Sequence, residues 1–322
     1  MNGDGKNAHP VRMHLLSNAM QSAVLIGFMG SFLALLGWLI WGAGGLVILL
    51  VLGALATLFN PALSPDWVMR LYGARKLSRG RVPALDQVRD WLAEQAGLSR
   101  LPTLYLIPSR VMNAFSVGTR GGSAIALSDA MIRRLSLREL VGVMGHEISH
   151  IRHNDLWVMG LADLFSRLTS LLSFTGQLLL FINLPLLLLG EVVINWGIIA
   201  LLIIAPLVSA LAQLALSRTR EYAADLEGAR LTGDPEGLAL ALQRIEREQG
   251  GWLEHILMPG RRVPEPSLLR THPSTAERVE RLQAIEAELG ESAKLPLAEL
   301  LHRLDLPEAQ RPPRRRIWGV WW

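Results

Sequence analysis

The sequence predicts a polytopic membrane protein, mainly α with a small antiparallel β-sheet (α+β), carrying about four transmembrane helices. Three observations predict this class: four long apolar stretches, a row of three short β-prone runs, and a polar histidine motif on a capped helix. Bulk composition agrees. Of the 322 residues 50% are hydrophobic and 19% charged, and the mean hydropathy is +0.29. A soluble protein rarely reaches that balance, so much of the apolar surface is expected to meet lipid.

The apolar stretches run from Met20 to Trp41, from Gly45 to Phe59, within Trp157 to Phe181 and within Val192 to Leu216. A hydrocarbon core of about 30 Å needs roughly 20 residues of helix, so the second stretch is short. The third is the least apolar, but its Asp163 and Arg167 stand four apart and can pair at headgroup level. Pro185 and Gly190 suit the turn between the third and fourth, Trp196 suits an interfacial anchor, and Pro206 predicts a kink. Basic residues mark the orientation. Lys6, Arg12, Arg70, Arg75, Lys76, Arg79, Arg81, Arg152, Arg218 and Arg220 flank one side of the spans. The connections at 42–44 and 183–191 hold no Lys or Arg. The positive-inside bias therefore places both termini and both large polar segments in the cytoplasm. The first apolar region is too long for the h-region of a cleaved signal peptide.

This pattern divides the chain into an N-terminal cytosolic arm (1–18), a transmembrane hairpin (19–60), a polar segment (61–156), a second hairpin (157–216), a polar segment (217–290) and a C-terminal segment (291–322). Neither polar segment has a convincing core alone, so the two are expected to form one domain interrupted by the second hairpin. In the first, "TLYLIPS", "NAFSVGT" and "SAIALSD" read as a three-stranded antiparallel meander split at Ser109-Arg110 and Gly121-Gly122. "DQVRDWLAEQAGL" (86–98) and "STAERVERLQAIEAEL" (274–289) read as amphipathic helices, the second opened by a Ser274/Glu277 capping box. A second box, Ser136 with Glu139, starts a helix whose apolar face carries Leu137, Leu140, Val141 and Met144. That helix is expected to continue through "GHEISHIRHND" (145–155) toward the third span.

Residues four apart on a helix lie one turn above each other on one face. His146 and His150 can therefore offer two imidazole nitrogens to a single ion, and the chain has no cysteine to supply a thiolate. The HExxH spacing points to Zn²⁺, with Glu147 one step round the helix as general base toward a metal-activated water. Glu221, in "SRTREYAADLEGA" (217–229), is a candidate third ligand; otherwise it is an exposed acid paired with Arg218 or Arg220. Asp225, four residues on, can accept the second ring N–H of a ligand histidine and set its tautomer. His153 is a rival ligand, or else a nearby or solvent-facing histidine.

These stretches, together with "NAFSVG", "THPSTAERVERL" and the two hairpins, resemble HtpX-type integral membrane zinc metalloproteases, a group related to the CAAX prenyl proteases. The resemblance covers nearly the whole chain. It implies a zincin-like catalytic domain at the cytosolic face of a bacterial inner (plasma) membrane, holding one Zn²⁺ per chain on His146, His150 and Glu221, with Glu147 as base. It also implies protein quality control, a stress-response setting, and polypeptide substrates drawn from membrane or misfolded proteins. "NAFSVG" resembles the edge strand along which zincins align a peptide, which would turn Asn113 and Ala114 to substrate; otherwise it is an ordinary strand start. His272 is similar to the family's His-Pro motif and would donate to the developing oxyanion, or it simply precedes Pro273 and the helix. Arginines and tryptophans in "RPPRRRIWGVWW" (311–322) fit a tether on the lipid bilayer, or else a disordered basic tail, and nothing else in the chain supports nucleic-acid binding. Two alternatives stand beside this reading. One is a narrow processing protease for lipidated or signal peptides; the other is a non-catalytic zinc-binding membrane scaffold, against which Glu147 argues.

Overall fold

The computed structural model describes residues 8–58, 65–190, 195–249 and 273–289. His272, the tail after residue 290 and the connection at 191–194 lie outside the described residues. The chain splits into two compact units. The described parts of Met1–Ser64, His153–Ala223 and Glu265–Pro273 make up the first, and those of Pro65–Arg152, Ala224–Pro264 and Ser274–Trp322 the second.

The first unit is built from α1 (Ala8–Leu58), α6 (Asp155–Ile182), the short α7 (Leu184–Leu188) and the first part of α8 (Trp196–Thr232). Among the described residues three helices are long and apolar enough to cross a membrane: Met20–Gly53 within α1, then α6 and α8. Helix α1 is not straight. Gly42 has φ 63° and ψ −148°, a conformation open to glycine, and it separates two helical arms. A Cβ on Gly37 would run into Leu49, and one on Gly45 would run into the Gly37 carbonyl. Residues 37 and 49 would stand about 18 Å apart along an unbroken helix, so the chain folds back at Gly42. The two arms then share one cluster: Leu33, Leu36 and Leu49 pack with Leu172 of α6 and with Leu202 and Ala205 of α8. Polar side chains inside this unit bond within it, Ser166 to Ser209 at 3.1 Å and Ser173 Oγ to the Leu202 carbonyl at 2.5 Å. Trp38, Trp41, Phe174, Phe181, Ile203 and Leu207 are exposed, as lipid-facing positions require. Asp163 and Arg167 pair at 2.7 Å, as their spacing predicts. Pro206 lies inside α8, and Trp196 is the exposed first residue of that helix.

The second unit carries a sheet. Its strands are β1 (Arg75–Lys76), β2 (Thr103–Ile107), β3 (Ala114–Thr119) and β4 (Gly122–Ser128), in the order β1-β2-β4-β3. The antiparallel meander expected from the sequence is not what forms. Strand β4 pairs antiparallel with β3 but parallel with β2, so the sheet is mixed. The reason lies in the connections. Residues 108–113, opened by Pro108, are too long for a tight hairpin and carry the chain past one strand position. The turn at Arg120-Gly121 then returns β4 into the gap, and β3 is left as an edge strand. Strand β1 is added on the far side by Arg75 and Lys76, which sequence periodicity does not mark as a strand.

Around the sheet stand α2 (Pro65–Leu71), α3 (Pro83–Gln95), α4 (Asp129–Arg134), α5 (Leu137–His153), α9 (Pro235–Gln249) and α10 (Thr275–Leu289). Helix α5 begins at a complete capping box: the Ser136 N–H donates to Glu139 Oε2 at 2.6 Å, and the Glu139 N–H to Ser136 Oγ at 3.3 Å. Its apolar face, with Leu140, Val141, Met144, Ile148 and Ile151, enters the main core beside Val88 and Leu92 of α3, Leu104 of β2 and Ile125 and Leu127 of β4. The helix runs through His146 and His150 toward the next span, as expected. It ends at His153, and Asn154, at φ 52° and ψ 37°, is a left-handed break before α6 begins.

The opposite face of α5 meets the last turns of α8 at glycines. A Cβ on Gly228 would lie 2.9 Å from the His146 nitrogen and 3.0 Å from its Cα, and one on Gly145 would lie 2.8 Å from Thr232 Cγ2. Gly142 meets the start of α9 in the same way, 2.7 Å from the Leu238 nitrogen. These neighbours are largely backbone and have little freedom to retreat. Gly228→Ala should therefore cost about 1–3 kcal/mol by overpacking. Thermal unfolding of the purified protein in detergent measures it, and an unchanged midpoint would contradict the packing described.

Candidate metal centre

Helix α5 presents His146 and His150 on one face, with ring centroids 4.6 Å apart and planes at 89°. Their Nε2 atoms lie 3.1 Å apart. Two nitrogens held at about 2.0–2.1 Å on one tetrahedral ion would be roughly 3.3 Å apart, so the pair already has the spacing of shared ligands. Helix α8 is unbroken from Trp196 to Thr232, which puts Glu221 one turn before Asp225 on one face. Ligand-capable atoms of His146, His150 and Glu221 all lie within 4.8 Å of one another, the only cluster of its kind among the described residues. His153 is not in it. Glu221 is only 6% exposed, which removes the exposed-acid alternative, and Arg220 meets Asp155 at the start of α6.

The donor set is two imidazoles and one carboxylate with no thiolate, which suits zinc and leaves a fourth tetrahedral position. Behind it, His146 Nδ1–H donates to Asp225 Oδ1 at 2.9 Å. That bond places the proton on Nδ1 and turns the Nε2 lone pair toward the cluster. Glu147 is buried beside His146 and, among the described residues, has no ion pair or side-chain hydrogen bond. Other buried acids here are paired with arginines: Glu139 with Arg244, Glu227 with Arg152, and Asp234 with Arg138.

Strand β3 starts at Ala114 and ends the sheet, as the peptide-aligning role requires. The backbone of Asn113 is already engaged, its N–H donating to Ser128 Oγ at 3.0 Å and its carbonyl accepting from the Ser128 N–H at 2.9 Å. Only the half-buried Asn113 side chain and the strand from Ala114 onward remain for a ligand. Sequence reasoning missed Arg278, whose guanidinium binds both oxygens of Asp225, at 2.7 and 2.6 Å. "THPSTAERVERL" contains it, but there Arg278 and Arg281 look alike. Only the packing of α10 buries one and exposes the other.

Residues 81–286 match the peptidase family M48. The chain belongs to peptidase family M48. Among its M48 relatives, a protein named protease HtpX homolog from Pyrococcus abyssi is 35% identical over 293 residues, covering 84% of this chain and 97% of that protein. One of the same name from Pyrococcus furiosus is 33% identical over the same shares of the two chains. The crystal structure of S. mikatae Ste24p superimposes with a TM-score of 0.45 at 20% identity, over 84% of this chain and 66% of that one. Membership makes the chain a metallopeptidase, and the long apolar helices support a membrane location.

If the three donors form one site, the metal-stripped M48 protein should take up one Zn²⁺ per chain. Glu221→Gln should then lower both stoichiometry and affinity, as elemental analysis after dialysis would report. Uptake unaffected by Glu221→Gln would place the third ligand elsewhere, with His153 the first residue to try.

Proposed function

We propose that the chain is a zinc-dependent membrane endopeptidase that cuts membrane or misfolded proteins on the cytosolic side, in protein quality control. The convergence of His146, His150 and Glu221, with the unpaired carboxylate of Glu147 next to it, carries this reading. In it, His146, His150 and Glu221 hold one zinc ion, and Asp225 orients His146. Zinc, when bound, supplies Lewis-acid polarisation of a carbonyl and a water of lowered pKa. Glu147 takes the proton of the attacking water and returns it to the departing amine nitrogen. His272 donates to the oxygen on which charge develops. An extended peptide adds to the free edge of β3 from Ala114 onward, beside Asn113, so main-chain bonds grip many sequences. The breadth of that recognition suits unfolded substrates.

The same reading has four membrane crossings, two of them the arms on either side of Gly42, with both termini in the cytosol. The fold-back at Gly42 and the absence of basic residues from 42–44 and 183–191 support it. The arm after Gly42 covers 16 residues to Leu58, about 24 Å, so it crosses with little tilt.

Glu147→Gln should retain zinc and lose about 10²–10⁴-fold in casein cleavage, and chelation should abolish cleavage by the wild type. Equal rates for the two proteins would sink the hydrolase mechanism. A reporter fused at Gly44 should prove extracytoplasmic, and a cytosolic reporter there would invert the topology.

A further inference from the structure

The contacts behind the donor cluster do not stop at Asp225. Arg278, on α10, donates from Nε to Asp225 Oδ2 at 2.7 Å and from Nη2 to Oδ1 at 2.6 Å. Oδ1 is the oxygen that also receives His146 Nδ1–H, at 2.9 Å. All three side chains are buried, with Asp225 at 3% and Arg278 at 6% exposure. Helix α10 is seated by Val279 and Leu282, which pack with Ala229 of α8 and with Leu238 and Ala239 of α9. Its start is capped, the Glu277 N–H donating to Ser274 Oγ at 3.3 Å.

A carboxylate with one hydrogen bond can swing about its Cβ–Cγ axis. A two-pronged guanidinium grip fixes its plane, and a fixed plane fixes the direction from which Oδ1 meets the imidazole. The ring of His146 is then held with Nε2 toward His150 before any ion arrives. Removing the arginine frees the carboxylate and also leaves a buried charge without its partner.

We propose that Arg278 is a positioning residue of the metal centre, acting through Asp225 on His146, so that metal retention depends on α10. This rests on the zinc reading above. The arginine touches neither the ion nor the substrate; it sets how firmly one ligand is pre-aimed. Groups in that position typically change metal affinity by about 10–100-fold.

The test uses the full chain in detergent micelles, with the zinc dissociation constant measured by competition against a chromogenic chelator and no turnover involved. Arg278→Gln should weaken zinc binding about 10–100-fold. Arg278→Lys, which keeps charge and volume but has no fork, should fall in between. Arg281→Gln, on the exposed side of α10, should leave the constant unchanged. In the Asp225→Asn background, Arg278→Gln should add little, because the carboxylate that Arg278 grips has gone and only its long 3.5 Å approach to His146 Nδ1 remains. Wild-type affinity in both Arg278→Gln and Arg278→Lys would overturn the proposal, as would a full additional loss in the double variant. Should the wild type itself take up no zinc, the zinc reading fails first and this one with it.

Discussion

Everything at the metal centre depends on how closely two helix backbones approach where Gly145 and Gly228 meet. With no side chain at either position, the last turns of α8 come within van der Waals reach of the α5 backbone beside His146. Helix geometry then does the rest. From that crossing, one turn back along α8 gives Asp225 and another gives Glu221, while one turn on from His146 along α5 gives His150. A methyl group at either position would meet atoms closer than 3.0 Å and force a shift at the crossing beside His146. The two glycines thus set the helix approach on which the candidate cluster rests, although neither has a donor atom.

Around that crossing, charge is buried on a consistent plan. Asp225, Asp234, Glu139, Glu227 and Asp155 each meet an arginine from another element: Arg278, Arg138, Arg244, Arg152 and Arg220. Buried carboxylates are costly alone, and losing one partner of such a pair typically costs about 3–5 kcal/mol. These pairs therefore do more than neutralise charge. They connect α5, α8, α9 and α10 of the second unit, and Asp155 with Arg220 joins α6 to α8 in the first. Glu147, equally buried, has no arginine partner among the described residues.

Much of this was legible in the chain. HExxH on a helix opened by Ser136 and Glu139 puts two candidate ligands and a candidate base on one helix, because a period of 3.6 residues and a capping box are both local. Glu221 and Asp225 follow the same rule four residues apart. The sheet was misread for the opposite reason. Each strand is local, but the sense of the β2–β4 pairing depends on where the 108–113 connection lets the chain re-enter, and composition does not carry that. Helix α5 runs through both histidines as expected, and its end at Asn154 is a residue that tolerates the left-handed conformation but does not announce it. Arg278 was invisible because one arginine on an amphipathic helix resembles another until the neighbouring helices decide which is covered.

By itself the sequence determined the membrane class, the helical periodicity, the absence of thiolate ligands, and the local spacing of donors on each helix, since all of these act over a few residues. Only the tertiary structure decided that the two donor-bearing helices meet at a pair of glycines, that β4 lies between β2 and β3, and that Arg278 reaches Asp225. Those outcomes join positions tens to more than a hundred residues apart. Nothing but the packing of one surface against another can select them.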